Sequence, residues 1–287
     1  MVSTKRYLRV IVPRGVRNWL RSPIRSLRWV WYELKHAAGA NETIEMRAGF
    51  SPMCHPGVYD FAYHLQHTDP DQAEEFDGFV RCARPEMVLF DIGAHFGLFS
   101  LAALHYGGQR AVAVAVDPSP TAVRIVKIQA LLNNVSERLH VLKASVGDHT
   151  GMQNMVAVGM MASGYFVSPK KDHTGDELTV TRAVTIDDLA HDYQLKPTHI
   201  KIDVEGDEAA VLRGARQTLS GSDAPLLFVE LHNQIVIERG DDPREALNLL
   251  RLYGYITVDD QDRALGDHEL LEKEIVRVIA RKPERAD

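Results

Sequence analysis

From residue 85 onward, short apolar runs alternate with segments whose apolar residues recur at helical spacing. The runs predict strands near 87–91, 111–116, 139–146, 198–204, 226–231, 255–259 and 274–281. The segments between them predict helices at 97–106, 120–132, 186–193, 207–219 and 243–253. Strands that alternate with helices form mostly parallel sheets, and a continuous apolar run is typical of a strand buried on both faces.

The last two predicted strands are joined by only about fourteen residues, with one short helical stretch between them. A connection that contains only a short helical stretch is consistent with an antiparallel pair, because parallel strands are usually joined by a crossover helix. The whole pattern predicts an α/β fold. Its core is a Rossmann-like, doubly wound, mostly parallel seven-stranded sheet with an antiparallel edge pair.

Three other segments have different patterns. Asp69-Pro70 predicts the start of a helix that continues to about Cys82, whereas 41–68 is broken up by proline and glycine and is predicted to be irregular. Residues 150–183 interrupt the alternation and predict either antiparallel strands or a mobile flap. The chain is therefore divided into a basic amphipathic arm (1–40), a helical and irregular cap (41–84) and a catalytic domain (85–287) that contains the insertion 150–183.

Composition narrows the class of protein. The 287 residues are 45% hydrophobic and 25% charged, which allows a large core in one domain with appendages. Two cysteines, Cys54 and Cys82, predict neither a disulfide framework nor a metal cluster. The sequence has no apolar run of about 18 residues and no hydrophobic signal segment. We therefore expect a cytoplasmic protein.

Charge is distributed unevenly along the chain. Residues 1–40 carry nine Lys and Arg and one acid, a charge of +8, so the remainder must carry −14 to give the net charge of −6. The apolar residues of this arm recur at helical spacing: Leu20, Ile24, Leu27, Trp31 and Leu34. Its arginines fall on another face: Arg14, Arg17, Arg21, Arg25 and Arg28.

A basic amphipathic segment that contains tryptophan is typical of binding to an anionic membrane surface. The arm thus predicts peripheral attachment at the inner membrane surface. Two alternatives stay open, namely folding back on the acidic body and packing in a dimer. The acidic body argues against nucleic acid as a partner, and the sequence does not predict an oligomeric state.

Candidate chemistry begins at residues 88–97, where a strand ends at Asp91 and two glycines, Gly93 and Gly97, precede a helix. Glycine allows a tight turn and close approach of a ligand, and the helix start offers free N–H groups. The spacing lacks both the G-x-G-x-x-G and the P-loop patterns. It resembles instead the first motif of class I S-adenosylmethionine-dependent methyltransferases, although a glycine turn in any doubly wound sheet is the alternative. His95, inside the turn, is a further candidate for contact with the cofactor.

Two more cofactor-binding candidates follow at strand ends. Asp117 closes the strand 111–116, about twenty residues beyond the glycine turn, where an acid can accept hydrogen bonds from both ribose hydroxyls. It could also act as the N-cap of the next helix. Ser145 lies at the end of the strand 139–146 and is included in the predicted cofactor site.

A second acidic cluster lies at the end of the strand 198–204. Alternation of side chains along a strand would place Asp203 and Glu205 on one side, beside the cofactor pocket. Several carboxylates in one place indicate a site that binds a cation or accepts a proton. The sulfonium group of S-adenosylmethionine is such a cation. Asp207 and Glu208 are instead assigned to the start of the next helix, where acids suit the helix dipole.

The segments of this region resemble the FkbM family of methyltransferases over roughly residues 85–235. The resemblance rests on Asp91–Gly97, Val184–Leu189, Lys201–Gly206, Val211–Ala215 and Glu230–His232. It implies a class I methyltransferase fold, S-adenosylmethionine as methyl donor, and O-methylation of sugar hydroxyls on glycolipids, polysaccharides or natural products. Asp117 departs from the glutamate that many methyltransferases carry there, but it still offers two acceptor oxygens.

A hydroxyl acceptor needs a base, and the candidates are His232, Glu205, Glu230 and Asp203, of which His232 and Glu205 are favoured. His232 has a suitable unperturbed pKa and follows Glu230 by two residues. Carboxylates and an imidazole leave open a divalent metal, which the sequence does not establish. The alternative functions are an inactive nucleoside-binding module, a methyltransferase acting on a non-sugar small molecule, and a nicotinamide-dependent oxidoreductase.

Overall fold

The computed structural model describes residues 27–46, 49–156, 165–166, 178–221 and 223–283. The strands of its main sheet are β3 (Val88–Ile92), β4 (Val112–Asp117), β5 (Leu139–Lys143), β10 (His199–Ile202), β11 (Leu226–Leu231), β12 (Ile256–Val258) and β13 (Val276–Arg281). Their order is β5-β4-β3-β10-β11-β13-β12. The first five strands in this order are parallel, while β13 pairs antiparallel with β11 and β12. The predicted fold is confirmed, including the edge pair.

Helices cover both faces of this sheet. They are α4 (Leu98–Tyr106), α5 (Pro120–Leu132), α6 (Ile186–Asp192), α7 (Glu208–Arg213), α8 (Arg216–Ser220), α9 (Asn233–Glu238), α10 (Arg244–Leu252) and α11 (Asp267–Glu272). Alternate strand residues enter two separate cores, Phe90 on one side and Leu89 on the other. This double burial explains why most residues of the parallel strands are apolar. Among the described residues, none of the helices combines the length and the apolar character needed to span a bilayer.

The cap contains a helix where the sequence predicted irregular chain. Residues 56–68 form α2 (Pro56–Thr68), which is followed by α3 (Pro70–Arg81). The proline that suggested a break occupies the first turn of α2, where no backbone donor is needed. The side chain of His55 accepts a hydrogen bond from the Gly57 N–H and caps the helix. The prediction of irregular structure over 41–68 was therefore wrong for 56–68; β1 (Glu42–Thr43) pairs with β2 (Met53–Cys54) in the remainder.

The predicted strand 139–146 is two strands in two sheets. After β5 ends at Lys143, β6 (Ser145–Val146) enters a second sheet with β7 (Gly151–Val156), β8 (Tyr165–Phe166) and β9 (Leu178–Val184). Antiparallel pairing of β7 with β8 and β9 confirms the strand alternative for the insertion 150–183. The rest of the insertion lies outside the described residues. The chain thus changes sheets beside the carboxyl ends of β4 and β5, which places Ser145 at that edge.

The predicted helix 207–219 is also divided. Helix α7 ends at Gly214, and α8 begins after Ala215. A Cβ atom on Gly214 would collide with the carbonyl of Gly147, so this glycine allows close packing of the helix end against the chain after β6. The interruption is a packing requirement that helical periodicity does not reveal.

Residues 27–37 of the arm are helical and are called α1 below. Arg28 pairs with Asp60 of α2 at 2.5 Å, and Glu33 accepts a hydrogen bond from Arg124 of α5 at 3.0 Å. The described part of the arm therefore folds back on the body, which is one of the two alternatives that the sequence left open. Leu20, Ile24, Arg14, Arg17, Arg21 and Arg25 lie outside the described residues.

Candidate active site

The glycine turn joins β3 to α4 and presses against the end of β10. Gly93 and Gly97 have φ angles of +80° and +73°, which favour glycine. The N–H of Gly93 donates to the carbonyl of Val116 at 2.9 Å. A Cβ on Gly93 would collide with the carbonyl oxygen of Asp203. The turn is therefore fixed between the two strands that carry the candidate acids Asp117 and Asp203.

Asp91 is buried beneath this turn. Its Oδ2 accepts hydrogen bonds from the N–H and the hydroxyl of Ser100, at 3.1 and 2.6 Å. Burial raises the pKa of Asp91 to about 6, although the hydrogen bonds from Ser100 oppose the shift. The carboxylate thus holds the first turn of α4 in place. Its predicted contact with the cofactor stays a prediction.

Asp117 connects the turn to the start of α5. It accepts hydrogen bonds from the N–H of His95 at 3.0 Å and from the N–H of Ser119 at 2.8 Å. Burial raises the pKa of Asp117 to about 6. The N-cap alternative for Asp117 is wrong, because Ser119 caps the helix through its side chain. A carboxylate has about four lone-pair sites, so Asp117 retains capacity for a hydroxyl ligand.

His95 is held on both sides by aromatic rings. It stacks on Phe96 with ring centroids 3.7 Å apart and meets the edge of Phe61 at 5.0 Å. Burial lowers the pKa of His95 to about 4, so its ring is neutral at pH 7. His95 therefore adds a neutral, ring-packed wall to the turn.

A small cavity lies above the turn, where the strand ends meet. Its walls include Gly93, Val116, Pro118, Ser145, Met155 and Asp203. Three of these residues were predicted to bind the cofactor. Apolar side chains suit a purine ring, and the half-exposed carboxylate of Asp203 suits a cation. The residues present therefore fit a cationic nucleoside.

Asp203, Glu205 and His232 meet beside this cavity. His232 Nε2 lies 3.6 Å from Glu205 Oε2 and 3.8 Å from Asp203 Oδ1. Asp203 and Glu205 do lie on one side, as predicted, but alternation along a strand is not the reason. Strand β10 ends at Ile202, and a turn in which Glu205 has a φ of +54° brings the two carboxylates together.

Glu208 and Asp207 have more than the helix-start role that the sequence assigned. Both lie at the start of α7, yet their carboxylates are buried. Glu208 Oε1 lies 2.7 Å from His232 Nδ1 and accepts a hydrogen bond from the Gly206 N–H. Asp207 forms a buried ion pair with Arg239 at 2.8 Å. Interpreting them only as complements to the helix dipole was therefore wrong.

The carboxylates around His232 determine its charge. Burial alone lowers the pKa of His232, but the hydrogen bond and charge of Glu208, with the charges of Asp203 and Glu205, raise it to about 9. At neutral pH the ring is thus an imidazolium. Burial raises the pKa of the Glu205 carboxyl, and Glu205 stays half-exposed. The unperturbed pKa of histidine is therefore not the relevant value here.

Glu230 belongs to a buried charge cluster that lies on the same side of His232 as Asp203 and Glu205. It accepts a hydrogen bond from Arg277 at 2.7 Å and lies 3.9 Å from His232 Nε2. Lys201, on β10, lies 2.9 Å from Glu75 of α3 and 3.8 Å from Glu230. Burial raises the pKa of Glu230 to about 7, and the Asp203 charge adds to this.

The sequence assigned no role in the site to Lys201, Glu75 or Arg277. Lys201 carried the clearest signal, as a lone charge within an apolar strand. Burial lowers the pKa of Lys201, but the charges of Glu75, Asp203 and Glu230 reverse this and raise it above its ordinary value. Lys201 therefore remains charged and balances the acids beside the site.

We expect Lys201→Met to destabilise the fold by about 3–5 kcal/mol, because it removes one of the two cations that balance the buried carboxylates of Glu75 and Glu230. Arg277 alone would then balance both carboxylates. Thermal and urea unfolding measure the loss. Lys196→Met is the matched control, since Lys196 pairs with Asp223 on the surface and such pairs contribute about 0–1 kcal/mol. Equal stability of the two variants would contradict the structural role given to Lys201.

The region that carries the candidate site matches a known protein family. A family model described as the methyltransferase FkbM domain matches residues 91–257. Comparison with curated proteins gives no significant match. Among solved structures, the chain is similar to the methyltransferase FkbM from Methylobacillus flagellatus KT, with 14% identity and a TM-score of 0.43. That alignment covers 78% of this chain and 58% of the Methylobacillus protein.

Two O-methyltransferase structures are similar at the same level. The S-adenosylmethionine-dependent enzyme from Thermotoga maritima has 12% identity and a TM-score of 0.44, with 86% of this chain and 79% of that one covered. The enzyme from Bacillus cereus in complex with S-adenosylhomocysteine has 13% identity and a TM-score of 0.39, with 78% and 86% covered. Similarities this weak support no functional conclusion. The family model, in contrast, matches more than half of the chain and includes the glycine turn, both acidic strand ends and His232. The chain therefore belongs to the FkbM family of S-adenosylmethionine-dependent methyltransferases.

Proposed function

We propose that the protein methylates a hydroxyl oxygen of a sugar carried by a glycolipid, a polysaccharide or a glycosylated natural product. The observation that carries this proposal is the meeting of Asp203, Glu205 and His232 beside the cavity over the glycine turn. A hydroxyl must lose a proton when it is methylated. Half-exposed carboxylates next to the cofactor cavity are suited to take that proton.

The chain's residues fit the methyl donor in three ways. Gly93 and Gly97 form the floor of the site, Asp117 offers acceptor oxygens for hydroxyls, and Asp203 faces the cavity. When bound, S-adenosylmethionine supplies an electrophilic methyl carbon, which bonds to the acceptor oxygen as the carbon–sulfur bond breaks and its electron pair remains on sulfur. Holding the reacting groups in line is worth roughly 7–11 kcal/mol of barrier.

Glu205 is the base in this proposal. Its side chain is 45% exposed, so an acceptor can reach it, and its raised pKa improves it as a proton acceptor. His232 carries a proton at neutral pH, so its role is to position Glu205 and Asp203 through its charge. Glu230 is paired with Arg277 and Lys201, so it supports the cluster and does not act as the base.

A divalent cation is the other way in which this cluster can activate a hydroxyl. Asp203, Glu205 and His232 each offer one ligand atom, and the three atoms lie within 4.8 Å of one another. Glu208 engages Nδ1 of His232, the arrangement that commonly orients a metal-bound histidine. A set of two carboxylates and one imidazole suits Mn²⁺ or Zn²⁺ better than Mg²⁺.

The test is methyl transfer by the full chain, with formation of S-adenosylhomocysteine and the mass of the acceptor as readouts. Glycolipids, oligosaccharides and sugar-free phenols serve as acceptors, each with EDTA or with added Mn²⁺. We expect transfer to a sugar hydroxyl. Transfer only to sugar-free acceptors would show a small-molecule methyltransferase, and donor binding without any transfer would indicate an inactive binding module. Loss of transfer in EDTA, restored by Mn²⁺, would establish the metal.

A further inference from the structure

Helix α1 has two faces of opposite character. Trp29, Tyr32, Glu33 and His36 face the body, where they are partly buried. The opposite face carries Leu27, Val30, Trp31 and Leu34, spaced i, i+3, i+4 and i+7, with exposed fractions of 70%, 55%, 57% and 59%. These four residues are called the α1 stripe. A helix that presents large apolar side chains to solvent along one face is unusual and indicates a binding surface.

The inward face fixes α1 firmly to the methyltransferase body. The Trp29 ring stacks on the Phe96 ring with centroids 6.0 Å apart, and its centroid lies 5.5 Å from that of the His55 ring. The absence of a side chain at Gly57 makes room for this ring, since a Cβ there would lie 2.5 Å from Trp29. The ion pairs of Arg28 with Asp60 and of Glu33 with Arg124 hold the two sides of the helix. The stripe is therefore presented on a supported helix.

Among the described residues, no other helix presents such a row of large exposed apolar side chains. Leu131 in α5 and Leu252 in α10 are 69% and 75% exposed, yet each is the only large exposed apolar residue of its helix. Single exposed apolar residues are normal on protein surfaces. The stripe differs because its four members are contiguous on one helix.

The positive charge that precedes the α1 stripe in the sequence favours an anionic membrane as its binding partner. Seven Lys and Arg precede Leu27 in the sequence, no acid accompanies them, and the rest of the chain is acidic. Each cation close to an anionic leaflet contributes about 1 kcal/mol of attraction. Two copies of the arm would repel each other. Four side chains also bury much less than the roughly 800 Å² per partner of a standard protein interface.

We propose that the α1 stripe inserts into the surface of an anionic phospholipid bilayer, with the cations of residues 1–40 adding electrostatic attraction. Because Trp29 stacks on Phe96 of the glycine turn, attachment through α1 holds the cofactor site next to the membrane. This location favours an acceptor carried by lipid. The inference does not depend on which hydroxyl is methylated.

The test is co-sedimentation of the full chain with vesicles of phosphatidylglycerol and phosphatidylcholine, or of phosphatidylcholine alone. We expect wild type to pellet with the anionic vesicles. Leu27→Ser combined with Trp31→Ser should lower the partition coefficient at least about tenfold, because two large apolar side chains no longer insert. The matched control combines Leu131→Ser with Leu252→Ser, which changes two equally exposed residues on other helices and should bind as wild type does.

Three outcomes would overturn the proposal. Wild type could fail to pellet with anionic vesicles, the stripe variant could bind as well as wild type, or light scattering could show a dimer that the stripe variant loses. Circular dichroism and thermal unfolding check that both variants are folded. Calorimetry with S-adenosylhomocysteine separates this test from the proposed activity, since donor binding should be unchanged in the stripe variant.

Discussion

Glu205→Gln is expected to lower kcat by roughly 10²- to 10⁴-fold, the usual contribution of a general base. Glutamine keeps the size of the side chain and its place 3.6 Å from His232 Nε2, but it cannot accept the hydroxyl proton. Donor binding should change little, because Glu205 lies outside the lining of the cavity over the glycine turn. Steady-state kinetics with a methyl acceptor, together with calorimetry for the donor, measures both quantities.

Glu86→Gln is the matched control for this change. Glu86 lies just before β3, at the amino-terminal ends of the parallel strands and away from the site, and it pairs with Arg110 on the surface. The kcat of Glu86→Gln should therefore equal that of wild type. In wild type, kcat should fall as the pH falls and Glu205 becomes protonated; in the variant this acidic limb should disappear. A variant with near-normal kcat would show that Glu205 is not the base. Recovery of its activity at high Mn²⁺ would instead identify Glu205 as a metal ligand.

The fold was predictable because its strands are apolar on both faces. Runs such as 111–116 have no polar face to leave in solvent, and that pattern fits a parallel sheet covered by helices. The antiparallel edge pair was predictable because the segment that joins its two strands contains only a short helical stretch. The split of 139–146 between two sheets was not, since no glycine or proline marks a break at Ala144 and only the pairing of Ser145 with Ala183 of β9 shows the change.

The candidate site was predictable only in part, because strand ends can be located from sequence and partners across the fold cannot. Asp203, Glu205 and His232 were identified from their places after two strands, and the structure brings them together. The partners that balance their charges come from other segments of the chain. Glu208, at the start of α7, lies 2.7 Å from His232 Nδ1. Glu75 reaches Lys201 from the cap, and Arg277 reaches Glu230 from the last strand. No local pattern signals such pairs, so the pKa of His232 could not be inferred from its residue type.

Gly93→Ala is expected to have the second large effect, on donor binding and on stability together. An added Cβ would collide with the carbonyl of Asp203, so either the glycine turn or the end of β10 must shift. Overpacking costs about 1–3 kcal/mol and a left-handed backbone about 1–2 kcal/mol in a residue with a side chain. We expect the dissociation constant for S-adenosylhomocysteine to rise at least about tenfold, as measured by calorimetry, with a lower Tm.

Gly108→Ala separates the collision from the backbone strain. Gly108 has a φ of +76°, close to that of Gly93, but a Cβ there meets no atom within 4 Å. This control should lose only the roughly 1–2 kcal/mol of left-handed strain and should bind the donor as wild type does. Equal donor affinities for the two variants would mean that the contact between the turn and Asp203 does not shape the cofactor site. If only Gly93→Ala loses affinity, close approach of these two strand ends is what forms the pocket.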